Sequence, residues 1–304
     1  MKTTGGLPVA GRPSDVLRQL AAALPRQWGR YRRRLKQCRT KFFPAAVHDS
    51  RVETRRLLAT LELLGAFIPG RELEKLRRAL KEYLDMFDHL RDTQVQLGSV
   101  EPMQRAFPAA QQFRAWLRQR EVRFIRDARR AVKRIKVRRV GKRIEAIASE
   151  LRRQRKSNAP EPTFSIAQDA IRLAFARVGR LCRRVKAADP RTIHRTRIAF
   201  KRFRYMVDAL SSLLPAVTEK HLQAMRSYQR MMGEIQDSKV LLAALDKFEE
   251  QVDNDPATQR LRAEFVRRHK QSVRVYVNAA PRLWLFWPPK RMSPRHTKDK
   301  NKQP

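Results

Sequence analysis

Hydrophobic and polar positions along this chain follow a helical rhythm that prolines and glycines interrupt. Residues 1–13 are rich in Gly and Pro and are expected to be disordered. Ser14 suits the N-cap of a first helix running to about Thr40, bent at Pro25. A second helix spans Pro44 to near Phe67, and Pro69-Gly70 forms a turn. A third runs from about Glu72 to Leu97 and stops at Gly98. A fourth starts after Pro102 or Pro108 and reaches about Arg134, and Gly141 breaks it from a shorter segment near 142–156. Residues 157–163 make the best linker, since Ser157 to Pro162 hold Ser, Asn and two prolines without apolar periodicity.

The order then recurs. A helix at about 164–187 leads to Asp189-Pro190, a capping residue followed by proline at the first helical position. The helix so begun runs to about Leu214 and is closed by Pro215, and helices at about 218–250 and 257–279 follow. The pattern predicts an all-α chain with halves at 14–156 and 164–280. Each half is expected to form an antiparallel four-helix bundle, the first with a short extra helix. Residues 281–304 form a tail, apolar from Trp284 to Trp287 and then proline-rich and basic. The apolar cluster is expected to cap a helical core.

The helices begun at Pro44 and Pro190 carry the same comb of a proline, a histidine and basic residues. Residues 44–56 read PAAVHDSRVETRR and residues 190–202 read PRTIHRTRIAFKR. Pro44 and Pro190, His48 and His194, Arg51 and Arg197, Arg55 and Lys201, and Arg56 and Arg202 fall in register at an offset of 146. Positions 0, 3 and 7 of a helix lie within roughly 60° of one another. His48, Arg51 and Arg55 therefore share a stripe, as do His194, Arg197 and Lys201. The repeat continues. Residues 87–95 match 232–240 at an offset of 145, with Asp92 and Asp237 in common, and each aspartate is expected to pair with and orient a basic residue. In the fourth helix of each half, Arg123, Arg126 and Arg130 match Arg267, Lys270 and Arg274 at an offset of 144, again at 0, 3, 7 spacing.

Composition says what such stripes could meet. Lys and Arg number 69 against 29 Asp and Glu, a net charge of +40 that internal pairing cannot neutralise. Self-repulsion on this scale favours a polyanion ligand: nucleic acid, a phosphate polymer or an anionic membrane surface. Arginine forks on successive helical turns match phosphate oxygens, and two such combs on facing helices suit a flexible polymer charged at every unit. Each histidine adds a donor and a charge when protonated. A nucleic-acid-binding protein is the alternative. Against it, aromatic residues for base stacking are sparse near the combs, and no reading helix with Asn or Gln among its arginines stands out. Neither a nucleophile–base pair nor a metal-ligand cluster is visible, so no catalysis, cofactor or metal site is expected. The lone cysteines Cys38 and Cys182 fit a reducing compartment. With no signal peptide and no run of about 18 apolar residues, the cytoplasm is the expected location.

The paired Pro, His-x-x-Arg-Val/Ile and Arg/Lys-Arg strings resemble the CHAD domain (conserved histidine α-helical domain) family, and the resemblance covers roughly residues 14 to 280. It implies two four-helix bundles related by approximate two-fold symmetry around a basic groove or pore. It further implies binding of inorganic polyphosphate and association with polyphosphate granules and their proteins, with nucleic acid only a competing polyanion. The family's motif residues map onto His48, Arg51, Arg55 and Arg56, and onto His194, Arg197, Lys201 and Arg202. Some family members carry an attached triphosphatase domain with an alternating glutamate motif on a β-strand. The nearest string here, Glu72 to Leu76, is helical in pattern, so that activity is not expected.

Overall fold

The computed structural model describes residues 14–68, 70–156, 163–252 and 255–288. The expected disordered start, the linker at 157–162 and the basic tail past residue 288 lie outside the described residues. Within them the chain is all-α, with no β-strand. Ten α-helices follow in order: α1 (Ser14–Lys41), α2 (Pro44–Leu64), α3 (Arg71–Asp85), α4 (Asp88–Val100), α5 (Ala109–Val132), α6 (Val137–Lys156), α7 (Thr163–Cys182), α8 (Pro190–Ala209), α9 (Glu219–Glu249) and α10 (Pro256–Ala279). Short 3₁₀ turns occupy Glu101–Met103, Ser211–Leu213 and Ala280–Leu285.

The helices pack by the apolar stripes that their sequences carry. In α1, Leu20, Leu24, Trp28, Tyr31, Leu35 and Cys38 are buried at spacings of three or four, against α2 and α6. On its other sides α2 meets α3 and α8, and α8 in turn packs on α7 and α9. Most buried apolar residues join one cluster drawn chiefly from α1–α3, α6–α8 and the first part of α9, with Leu90 of α4, the end of α5, Val273 and Tyr276 of α10 and the residues after it. A smaller one joins the end of α4 and start of α5 (Leu97, Phe113, Leu117) to the end of α9 and start of α10 (Phe248, Leu261, Phe265). Both clusters draw on both halves of the sequence. The apolar cores are therefore shared between the halves.

Several boundaries differ from the periodic reading. The helix expected at 72–97 is two helices, because the chain turns at Met86 and Phe87 and sinks the Phe87 ring into the core at 2% exposure. An apolar residue at that position keeps the helical rhythm, so the pattern hides the break. Gly141 lies inside α6, where it admits the Trp28 ring: a Cβ there would come within 3.2 Å of the indole nitrogen. The helices that lead to and carry the second comb end early, at Cys182 and Ala209. In the tail, Leu283, Phe286 and Trp287 are buried. Phe286 packs on Phe200 and Tyr228, and Trp287 on Phe203, so these two residues cap the core while Trp284 and Leu285 stay exposed.

Candidate functional site

Two different devices start the comb helices. Ahead of α2, Phe42 adopts a left-handed backbone (φ 51°), and its carbonyl accepts a 2.9 Å hydrogen bond from the buried Gln94 amide of α4. Pro44 then opens the helix without a side-chain cap. Ahead of α8, the Asp189 carboxylate accepts from the Arg191 N–H at 3.0 Å, as the Asp-Pro signal predicts. Both devices set the histidine one turn into its helix.

The combs converge where α2 packs against α8. Arg55 and Lys201, partners in the repeat, are electrostatic neighbours, and Arg51 and Arg197 stand beside them. Burial, reinforced by Arg55, Arg197, Arg51 and Arg204, pushes the Lys201 amine down to about 6. Burial and then Arg51 push the Arg55 guanidinium down to about 10. Arg197 is also lowered, by burial first. Among the described residues, none of Arg55, Arg197 and Lys201 forms an ion pair within 4.0 Å. The Nε of Arg197 is buried without a hydrogen-bond partner. Three crowded basic groups without direct counter-charges are costly to keep charged in an unliganded protein, and Lys201 is the one that gives up its proton.

Arg51 differs. It is 6% exposed and spans the α3–α4 break. One terminal nitrogen donates to the Leu84 carbonyl at 2.6 Å, and the other pairs with Asp88 at 2.5 Å. It thereby adds a second donor to a carbonyl at the end of α3 and pairs with an acid in the first turn of α4. The repeat places Gly233 opposite Asp88, so Arg197 has no equivalent acid.

Two carboxylates face the cluster, Asp92 of α4 and Asp237 of α9. Both touch solvent, yet surrounding protein raises them, with Arg51 and Arg197 respectively pulling the other way. Neither forms a direct ion pair among the described residues. The expected pairing role falls instead, in the first half, to Asp88. Both motif histidines are lowered by burial. His48 sits near Arg91 of α4, whereas His194 has Gln236 of α9 as a side-chain partner.

The model of the CHAD domain family matches residues 19–246. The chain belongs to this family. Among solved structures, the CHAD domain from the plant Ricinus communis aligns with a TM-score of 0.69 at 20% identity, over 92% of this chain and 96% of that one. PptA from Streptomyces chartreusis aligns with a TM-score of 0.59 at 17% identity, over 88% and 98% respectively. At such identities the likeness is one of fold. No curated protein sequence matches the chain.

The eight residues of the two repeated strings do not all gather at one place. His48, Arg51, Arg55, His194, Arg197 and Lys201 surround the α2–α8 contact. Arg56 and Arg202 point elsewhere, since consecutive helical residues diverge by about 100°. Arg56 pairs with the buried Glu53 at 2.6 Å, and Arg202 pairs with Glu62. The α5 and α10 triads (Arg123, Arg126, Arg130 and Arg267, Lys270, Arg274) lie exposed. Arg130 is held by Asp127 and Arg267 by Glu264, and no hydrogen bond or ion pair ties either triad to the combs. His89 is exposed and stacks on Phe124 with ring centroids 5.4 Å apart.

Sequence reasoning passed over Arg91 and Asp88. Arg91 lies near His48, Arg51 and Asp237, and burial lowers it. It stands inside the repeated segment, but its partner there is Gln236, so a search for matched cations misses it. No described helix is long and apolar enough to cross a membrane.

Proposed function

We propose that this CHAD chain binds inorganic polyphosphate at the α2–α8 contact, as a carrier or targeting module without catalysis. The observation that carries this reading is the uncompensated group Arg55, Arg197 and Lys201, assembled from both copies of the repeat. A linear phosphate polymer supplies several linked negative charges at once, so each unit relieves like-charge crowding while its neighbours stay tethered. A single small anion cannot reach all three cations. Asp92 and Asp237 border the group and limit it to ligands with enough charge density to outweigh them. His48 and His194, each two turns from the Arg55–Lys201 meeting point, extend the row of donors along both helices. In a cell that stores polyphosphate, the same contact directs the protein to granules and to the proteins gathered there.

Replacing Arg55, Arg197 and Lys201 together with alanine tests the reading. Affinity for long-chain polyphosphate is expected to drop at least about a hundredfold, given the strength of charge-assisted hydrogen bonds. Helical circular dichroism should persist, because none of the three pairs with another element. Unaltered affinity in the triple variant rejects the site.

A further inference from the structure

A second cationic recess lies beside α1, outside the combs. It is an open pocket of about 680 Å³ between α1, α2 and α8. Ala22 and Ala23 line it along α1, while Arg18, Arg26 and Arg30 of α1 and Arg56 of α2 also face it, opposite Tyr205 and Asp208 of α8. Four arginines thus stand against one lining aspartate. Arg30 and Arg56 share the buried Glu53, at 3.2 and 2.6 Å. Arg26 is exposed and forms no ion pair among the described residues.

The repeat explains why the pocket is open. Arg56 and Asp208 correspond to Arg202 and Glu62 at the offset of 146. In the second copy Arg202 reaches across to α2 and closes on Glu62. In the first copy Arg56 instead turns along its own helix to Glu53, three residues earlier. Glu53 corresponds to Ala199, so the acid that draws the arginine aside exists in one copy only. The bridge that would span α2 and α8 is not made, and the space it would fill is lined with cations.

Tyr205 joins this pocket to the comb cluster. Its side chain lines the pocket and is an electrostatic neighbour of both Arg55 and Arg197. Arg204 lies over its ring at 4.1 Å and helps fix it there. From Arg18 to Arg30 the helix rises about 18 Å, so the row extends well past the reach of a short anion.

We infer that the α1 pocket is a second phosphate subsite, which holds the part of a long polyphosphate chain that runs on past Tyr205 from the combs. This rests on the polyphosphate reading of the combs and adds a length preference to it: short chains occupy the combs alone, and long chains grip both. The test compares tripolyphosphate with long-chain polyphosphate on the wild-type protein and on Arg18→Ser/Arg26→Ser. These side chains are exposed, so the fold should tolerate the change. Long-chain affinity is expected to fall about tenfold and tripolyphosphate affinity less than twofold. A charge-matched control, Lys220→Ser/Arg230→Ser on exposed positions of α9, should leave the ratio between the two ligands at its wild-type value. Equal losses for both ligands, no loss, or the same shift in the control overturns the subsite while leaving the combs as the site. A wild-type protein that binds neither ligand overturns the comb reading, and the subsite with it.

Discussion

Arg51 and Arg197 occupy the same position in the repeat and do different work. Arg51 is spent on the fold, through Leu84 and Asp88, while Arg197, beside Gly233, forms no ion pair among the described residues. Arg51→Ala should therefore destabilise the protein by about 1–3 kcal/mol, read as a lower urea midpoint, because the Asp88 carboxylate loses its charged partner and the Leu84 carbonyl loses one of its donors. Arg197→Ala should leave the midpoint nearly in place and weaken polyphosphate binding. Gly233→Asp copies into α9 the acid that α4 already has. It should lower polyphosphate affinity about tenfold by giving Arg197 a partner. An Arg51→Ala protein as stable as wild type would remove the structural role argued for that residue. The repeat made the paired cations legible in the sequence, and six of the eight motif residues do gather at the α2–α8 contact. The difference between the copies was hidden, since it depends on Asp88, whose mate is a glycine, and on a backbone break that the apolar rhythm conceals.

At the scale of elements, most helices could be read because apolar spacing and proline or glycine punctuation agree. The starts of α8 and α10 are marked by Asp-Pro pairs whose carboxylates cap the first turn, as at Asp255, which accepts from the Ala257 N–H at 3.0 Å. The misread ends have tertiary causes. Residues 86–87 turn because Phe87 is buried and Arg51 takes the Leu84 carbonyl, neither of which leaves a local mark. The pairing of α4 and α5 with α9 and α10 was equally invisible, since apolar stripes do not name their partners. The tail is the element whose role was legible. Phe286 contacts Phe200, Tyr228 and the His221 ring, which ties the last residues to α8 and α9. Phe286→Ala should cost about 3–5 kcal/mol by opening a cavity there, measured as a reduced thermal or urea midpoint. A loss below about 1 kcal/mol would mean that the tail adheres to a core already complete without it.

Over the whole molecule, the two copies impose their fields on a single amine. Lys201 faces Arg51 and Arg55 from the first half and Arg197 and Arg204 from its own helix, and Asp237 of α9 is the acid in its reach. In the folded protein it titrates near 6, against an ordinary lysine value of 10.5. Between these limits the unfolded chain holds a proton that the folded chain lacks, so this group makes folding stability rise with pH from about 6 toward 10. Polyphosphate reverses the preference, because a bound polyanion favours the ammonium form. Binding at pH 8 should then take up about one proton, and affinity should weaken as pH climbs above 6, by at most about tenfold per unit. His48 and His194 are lowered and stay neutral at pH 8 in the free protein, so any proton they gain on binding adds to the same sign. Calorimetric titration at pH 8 in two buffers of different ionisation enthalpy measures the uptake directly. Lys201→Arg holds its charge at all these pH values and should cut the uptake by close to one proton while still binding. If wild type and Lys201→Arg take up the same number of protons, Lys201 is not the group whose charge the ligand restores, and the meeting of the two combs is not where the polymer lies.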